Sequence, residues 1–394
     1  MRRPTRSLAA VLLAVVLILT AVPAGWAKEP ATPDVGLNQA VEMALKHSAS
    51  VQRAEKEIDR TEELRNYSAE RLGFMPVGSD GTPAVDAAWS GLLAADLTWN
   101  MSKKSLTAEQ DKVALDTCRK YWAVQTAREK LAAAEAAVRQ AELDFRKAQV
   151  SHQVGLIGGA TLEGARAALD GANAALAATR NDLETAYAAL NQTVGLWPED
   201  RPVLTDTPVY VPLDVADLNH EVARVLESSP KVWLAGRQAE LKEKLQDVLF
   251  YTDVMTGNFN YKPYQARKIE VEQAELDAMS AKEAYELLTR SLYYNVKSLE
   301  ESIPAAEQAV RLAEENLKVA RAKFAVGMAT QAAVAAAEAS LAKAESDLLS
   351  AKANHAYLKL AFEKPWAYLS LMGQSGGADS SSTDASGDDS GYGG

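Results

Sequence analysis

The sequence predicts a mainly α protein: long antiparallel coiled-coil helical hairpins in two tandem repeats, forming an α-barrel-type wall with short residual β-hairpin inserts. Three observations predict it. The chain aligns with itself, its apolar residues recur at alternating steps of three and four, and its last long helix is apolar on two opposite faces.

The self-alignment begins at Leu37-Asn38, which matches Leu218-Asn219 at an offset of 181. At that offset Val41 pairs with Val222, Leu45 with Leu226, Ser48 with Ser229 and Val51 with Val232. Further on, Val138-Arg139 matches Val310-Arg311 and Val154-Gly155 matches Val326-Gly327, at an offset of 172. The second copy is therefore nine residues shorter between its first helix and its second. Self-similarity of this kind marks a stacked architecture in which one unit cannot bury its apolar face alone.

Taken in order, residues 1–27 read as an export signal. Arg2, Arg3 and Arg6 precede an apolar run from Leu8 to Val22, and Gly25-Trp26-Ala27 offers small residues at the cleavage positions. The run falls short of the roughly 20 residues of a membrane-spanning helix, and no cysteine follows it that would carry a lipid anchor. The mature protein is expected outside the cytoplasm. Removing the three arginines of the signal from the 42 basic residues leaves 39 against 53 acidic ones, a net charge of −14. That balance excludes the basic stripe of a nucleic-acid binder. Cys118 is the only cysteine, so no intrachain disulfide forms.

Repeat 1 is expected over 28–212 and repeat 2 over 213–372. Each reads helix, insert, long helix, tight turn, long helix. In repeat 2, Val310, Ala313, Leu317, Ala320 and Phe324 lie at coiled-coil spacing, and after the turn Val334, Ala337, Leu341, Ala344, Leu348, Ala351 and His355 continue it. Repeat 1 has the same seam in Val138, Ala141, Phe145 and Ala148, then Leu162, Ala165, Leu169, Ala172 and Leu176. Large residues alternate with alanine, so a leucine on one helix fills the space above an alanine on its neighbour. Short turns through Val154-Gly155 and Val326-Gly327 make the neighbours antiparallel. The last helix carries a second stripe, Ala335, Ala339, Ala342, Ser346, Leu349 and Ala353, which requires a second neighbour and favours a wall or tube over a closed bundle. Pro304 falls inside a long helix, where it is expected to kink or break it.

Between the copies, Pro198, Pro202, Pro208 and Pro212 keep the chain extended as a connector. The first insert, 74–100, reads as a turn at Ser79-Asp80-Gly81 and a poorly alternating strand over 84–99; the second is 251–263. A run of Gly, Ser and Asp over 373–394 cannot offset its ordering entropy and reads as a disordered tail.

No catalytic site is expected, so the chain is not read as an enzyme, and no cofactor or metal is implied. His47, His152, His220 and His355 have no metal-ligand spacing, and no phosphate loop or nucleophile elbow is present. His355 on the seam suits a buried polar residue that fixes register. Glu270, Glu272 and Glu275 belong to charged, solvated helix faces.

The opening Leu37-Asn38-Gln39-Ala40-Val41 with Ala44-Leu45, and the stretch Phe324-Ala325-Val326-Gly327-Met328-Ala329-Thr330, resemble the outer-membrane efflux (TolC-like) family. Val154-Gly155-Leu156 is the first-copy version of the same turn. The resemblance implies a homotrimer that forms a helical conduit for efflux or secretion, working with a periplasmic adaptor (membrane fusion) protein and an inner-membrane transporter. It places the protein in the cell envelope, at the outer membrane or another extracytoplasmic surface. It gives Val154, Gly155, Leu156, Val326, Gly327 and Met328 the role of partner-docking tips, although glycine is also what a tight helix reversal needs. It further implies one β-hairpin per insert, contributing to a membrane barrel. A spanning strand needs about 9–11 residues, so the second insert cannot cross a bilayer twice and the barrel is expected to be truncated or absent. A coiled-coil envelope scaffold of the same fold, without a pore, is the alternative.

Overall fold

The computed structural model describes residues 31–72, 83–256 and 264–375; the export signal, the Ser79-Asp80-Gly81 turn and the chain from residue 376 onward lie outside them. The elements are β1 (Asp34–Val35), α1 (Leu37–His47), α2 (Ala49–Glu70), α3 (Pro83–Gln153), α4 (Gly159–Val194), β2 (Val203–Leu204), α5 (Leu218–Ser228), α6 (Pro230–Thr256), α7 (Tyr264–Ala325), α8 (Gln331–Glu363) and α9 (Pro365–Ser375). Helices dominate, as the sequence predicts.

The long helices form a wall. α3 pairs with α4 and α7 with α8 as antiparallel hairpins, and α3 also packs along α8, joining the two. On the side away from the hairpin turns, α2, α3, α6 and α7 continue the wall in that order. α8 therefore has neighbours on both faces, as its two stripes require. Ala332, Ala335, Ala339, Ser346 and Ala353 are buried along it, while Ala313 and Leu317 are buried on α7. At 71 residues, α3 is about 106 Å long at 1.5 Å per residue. Helix α7 runs through Pro304 without a break, although the ring removes one N–H from the ladder.

The segment 84–99 is helical, not a strand. Pro83 stands at the first helical position, where its missing N–H costs nothing, and the alanines and leucines that follow favour helix. Tertiary contacts hold it there: Arg65 Nε donates to Asp96 Oδ1 at 2.9 Å, and the hydroxyls of Thr61 and Ser102 meet at 2.9 Å in a buried position. In the second insert, residues 251–256 are likewise helical, as the end of α6. The rest of the two inserts, 74–82 and 257–263, lies outside the described residues.

Near mid-wall, the connector closes the structure. β2 pairs in parallel with β1, in register Asp34 with Val203 and Val35 with Leu204. Beneath this pair Tyr121 of α3 donates to the carbonyl of Val35 at 3.0 Å and accepts from the N–H of Asp206 at 3.1 Å. One core gathers Val35, Ala40, Ala44, Tyr121, Trp122, Leu190 and Leu204; a second gathers Leu213, Val225, Leu292, Val296, Phe362 and Trp366. Burial pushes the Cys118 thiol up to about 11, so it is an inert core residue. No helix among the described residues is long and apolar enough to cross a membrane.

Candidate docking tips and open wall edges

Both hairpin turns are built the same way. α3 ends as Gly155 turns to φ +75°; Gly155 N–H donates to the carbonyl of His152 at 2.9 Å and Leu156 N–H to that of Ser151 at 2.8 Å. In the second hairpin Gly327 has φ +73°, its N–H donates to Phe324 at 3.0 Å, and Met328 N–H donates to Lys323 at 2.8 Å. This pair of bonds is the Schellman motif, which satisfies two end carbonyls and needs a left-handed residue, hence glycine. A Cβ added at either glycine would meet nothing within 4 Å, so φ alone demands it.

The reversal turns the flanking side chains outward. Leu156 is 77% exposed and Met328 78%, and Val154 and Val326 are also largely exposed. Apolar residues displayed in pairs at the end of a hairpin lie outside both cores. The two turns lie at the same end of the wall, because α3 and α7 both run antiparallel to α8. Thr330 caps α8 by accepting from Ala333 N–H at 3.3 Å, and Arg321 meets Glu338 at 2.8 Å across the second hairpin.

The edges of the wall are the second feature. α7 is an edge of the wall, with α5 packed against its middle. Ile269, Leu276, Leu287, Tyr294, Leu312 and Val319 are exposed on it, at steps of 7 and 11 apart from the longer one between Tyr294 and Leu312. Such steps bring residues back to nearly the same angle on a helix. The opposite edge is α4 towards the tips and α2 beyond it. On α4 the outward residues Ala167, Gly171, Ala174 and Ala178 are small and exposed. The α7 stripe is legible in the sequence at these spacings.

Of the histidines, His152 lies at a tip, its Nδ1 3.1 Å from the carbonyl of Ile157 inside the first turn. His220 is exposed; His355 is buried with Nε2 3.3 Å from Oε1 of Glu300. Glu300 also accepts from the N–H of Leu213 and, at 2.8 Å, from Lys297. Burial opposes ionisation of Glu300, but these donors together hold it below the usual carboxylate range. Among the described residues no three His, Cys, Asp or Glu side chains converge on a position that would hold a metal ion.

Residues 90–196 match the family described as outer membrane efflux protein. No curated protein sequence matches the chain. Among solved structures, it is similar to a membrane protein from Pseudomonas aeruginosa at 14% identity and a TM-score of 0.62, over 85% of this chain and 91% of that one. The outer membrane protein VceC from Vibrio cholerae is similar at 16% identity and 0.58, over 83% and 94%. The CmeC outer membrane channel of Campylobacter jejuni is similar at 13% and 0.59, over 89% and 93%. At such identities the likeness is one of fold alone. The chain has a TolC-like fold, and its residues 90–196 carry the match to the outer membrane efflux protein family.

Proposed function

We propose that the protein is a subunit of a homotrimeric conduit of the cell envelope, exported by residues 1–27 and acting in efflux or secretion with a periplasmic adaptor and an inner-membrane transporter. One observation carries this reading: the wall has two unlike open edges, and the molecule already contains a template for joining them. Within the chain, α8 lays its small-residue stripe (Ala335, Ala339, Ser346) against α3. By the internal repeat, α4 is the counterpart of α8 and α7 the counterpart of α3. The small stripe of α4 is therefore suited to the large stripe of α7 from a second copy. A head-to-tail contact between unlike edges closes into a ring if the rotation permits.

The tips serve as the docking points, with Val154, Leu156, Val326 and Met328 as apolar contacts and Gly155 and Gly327 setting their geometry. The short inserts read from the sequence, 74–100 and 251–263, favour a second reading for the far end, a helical assembly without a spanning barrel that acts as an envelope scaffold. The native mass of the mature chain, measured with and without detergent, tests both readings. A trimer that needs detergent supports the conduit with a membrane-embedded ring. A trimer without detergent keeps the tube but removes the barrel. A monomer removes the conduit. Leu312→Glu on the α7 stripe should abolish the trimer while leaving the helical circular dichroism unchanged. Gly155→Trp with Gly327→Trp should abolish adaptor capture, and capture at the wild-type level would remove the docking role.

A further inference from the structure

The wall is not uniformly charged. Around the first hairpin turn, residues 146–166 hold Arg146, Lys147 and Arg166 against Glu163; around the second, residues 318–338 hold Lys318, Arg321 and Lys323 against Glu338. The two segments correspond under the internal repeat, at the offset of 172, and each has a net charge of +2 in a chain that carries −11. All six cations are exposed. Arg321 is bonded to Glu338, and Lys318 lies 3.6 Å from Glu315. Among the described residues, Arg146, Lys147, Arg166 and Lys323 form no ion pair. Helix dipoles do not account for the collar. A dipole favours a cation within the last turn of a helix, and of the six only Lys323 stands there. Arg166 lies towards the N-terminus of α4, which is the positive end.

Counted back from the turns, the exposed side chains fall into layers. Val154, Leu156, Val326 and Met328 stand at the ends. At 1.5 Å per residue the six cations lie about 6–14 Å behind them. Glu142, Asp144 and Asp170 on the first hairpin, with Glu314 and Glu315 on the second, follow at about 16–20 Å. Glu163 alone breaks the basic layer, since Glu338 is already bonded to Arg321. The order from the end inward is apolar, basic, acidic. An anionic bilayer surface has the complementary order. A segment seated on it buries its apolar part about 5–10 Å deep, at the boundary of headgroups and acyl chains, which leaves the next layer among the phosphates. Attraction to that surface fades within a Debye length, about 8 Å in physiological salt, so the acidic layer behind is little repelled. An acidic protein would also neutralise the cations, but it would not require them at one depth on both hairpins.

We propose that the two tips dock end-on onto an anionic lipid surface, the four apolar side chains entering the headgroup layer and the basic collar meeting the lipid phosphates. The proposal does not rest on the conduit reading, because a single chain carries both tips and no adaptor is needed. Its test contains no adaptor and reads lipid binding, not a mass, so the two can fail separately.

The experiment is flotation of the full mature chain, residues 28–394, with vesicles of phosphatidylcholine and phosphatidylglycerol, and with vesicles of phosphatidylcholine alone. Binding is expected to the anionic vesicles and at least about tenfold weaker binding to the neutral ones, since each cation near such a surface is worth about fivefold in partition. Two variants place the contact. Arg146→Gln, Lys147→Gln, Arg166→Gln and Lys323→Gln combined should weaken binding at least about tenfold, and Leu156→Ser with Met328→Ser should weaken it as well. All six positions are exposed, and unchanged helical circular dichroism checks that the variants fold. No flotation with anionic vesicles would overturn the proposal and leave the collar to an acidic protein partner. Equal flotation with neutral vesicles would overturn it too. Wild-type binding by both variants would place the lipid contact elsewhere on the chain and overturn it likewise.

Discussion

His355 Nε2 lies 3.3 Å from Glu300 Oε1, inside the seam between α8 and α7, with the histidine side chain 1% exposed. Glu300 has a second task, because the same oxygen accepts the N–H of Leu213 and so holds the connector onto the second hairpin. Tyr210 stacks edge-on against the imidazole at 5.1 Å, completing the tie. One carboxylate thus serves seam register and connector position together.

Loss of that carboxylate should be costly. Glu300→Ala leaves the imidazole and the Leu213 N–H without their acceptor, and we expect a loss of about 2 kcal/mol by urea unfolding. The pH dependence has a definite sign. The folded-state pKa of Glu300 is depressed, so its contribution is present above the ordinary carboxylate pKa and is lost as pH falls through the folded value. The difference between wild type and Glu300→Ala should shrink on acidification. A difference that is constant with pH would show that the carboxylate charge is not involved.

Glu345 is the opposite case. Burial first, then Glu129 on α3 and Glu314 on α7, raise its pKa. A carboxyl whose folded pKa is raised makes the fold less stable as pH rises through the titration, since the folded state binds the proton more tightly. Glu345→Gln should therefore melt higher than wild type at neutral pH. The gain should disappear in acid, and an equal gain at both pH values would rule out this origin.

Three glycines with positive φ should respond differently to alanine. Gly155→Ala and Gly327→Ala meet no atom and should cost about 1–2 kcal/mol each, the price of a left-handed conformation. Gly195 ends α4 at φ +78°, and a Cβ there would lie 2.7 Å from Nδ1 of the His47 ring. Gly195→Ala should cost clearly more, and His47→Ala should recover part of the excess in a double-mutant cycle. Equal costs at all three glycines would show that the His47 contact yields freely.

Asp111 fastens α9 to α3. It accepts from Lys364 Nζ at 2.5 Å and from Trp366 Nε1 at 2.8 Å. Asp111→Ala leaves the mostly buried indole N–H unserved and should destabilise the chain by about 1–2 kcal/mol. Trp366→Phe alone should cost less, because it removes the donor that needs the carboxylate. Hydrogen exchange confined to α9 would be the local sign of the loss, and uniform exchange across the chain would argue against a local fastening.

The sequence by itself determined the helical class, the two copies, the seams and both hairpin turns. These are all consequences of local periodicity and local chain geometry: a step of three and four residues, or a glycine where φ must be positive. The second face of α8 was equally legible, because a neighbour on each side demands an apolar stripe on each side. The strand expected over 84–99 shows where local reading fails. Its alternation was weak and its alanines favoured helix, and the contacts of Asp96 with Arg65 and of Ser102 with Thr61 decided it. Only the tertiary structure could bring together Tyr121 with Val35 and Asp111 with Trp366. These pairs are 86 and 255 positions apart, and no periodicity reports which polar groups meet across such separations. The same holds for the open edges: the sequence carried their stripes, but the packing of α3 against α8 within one chain decided which faces were left for another.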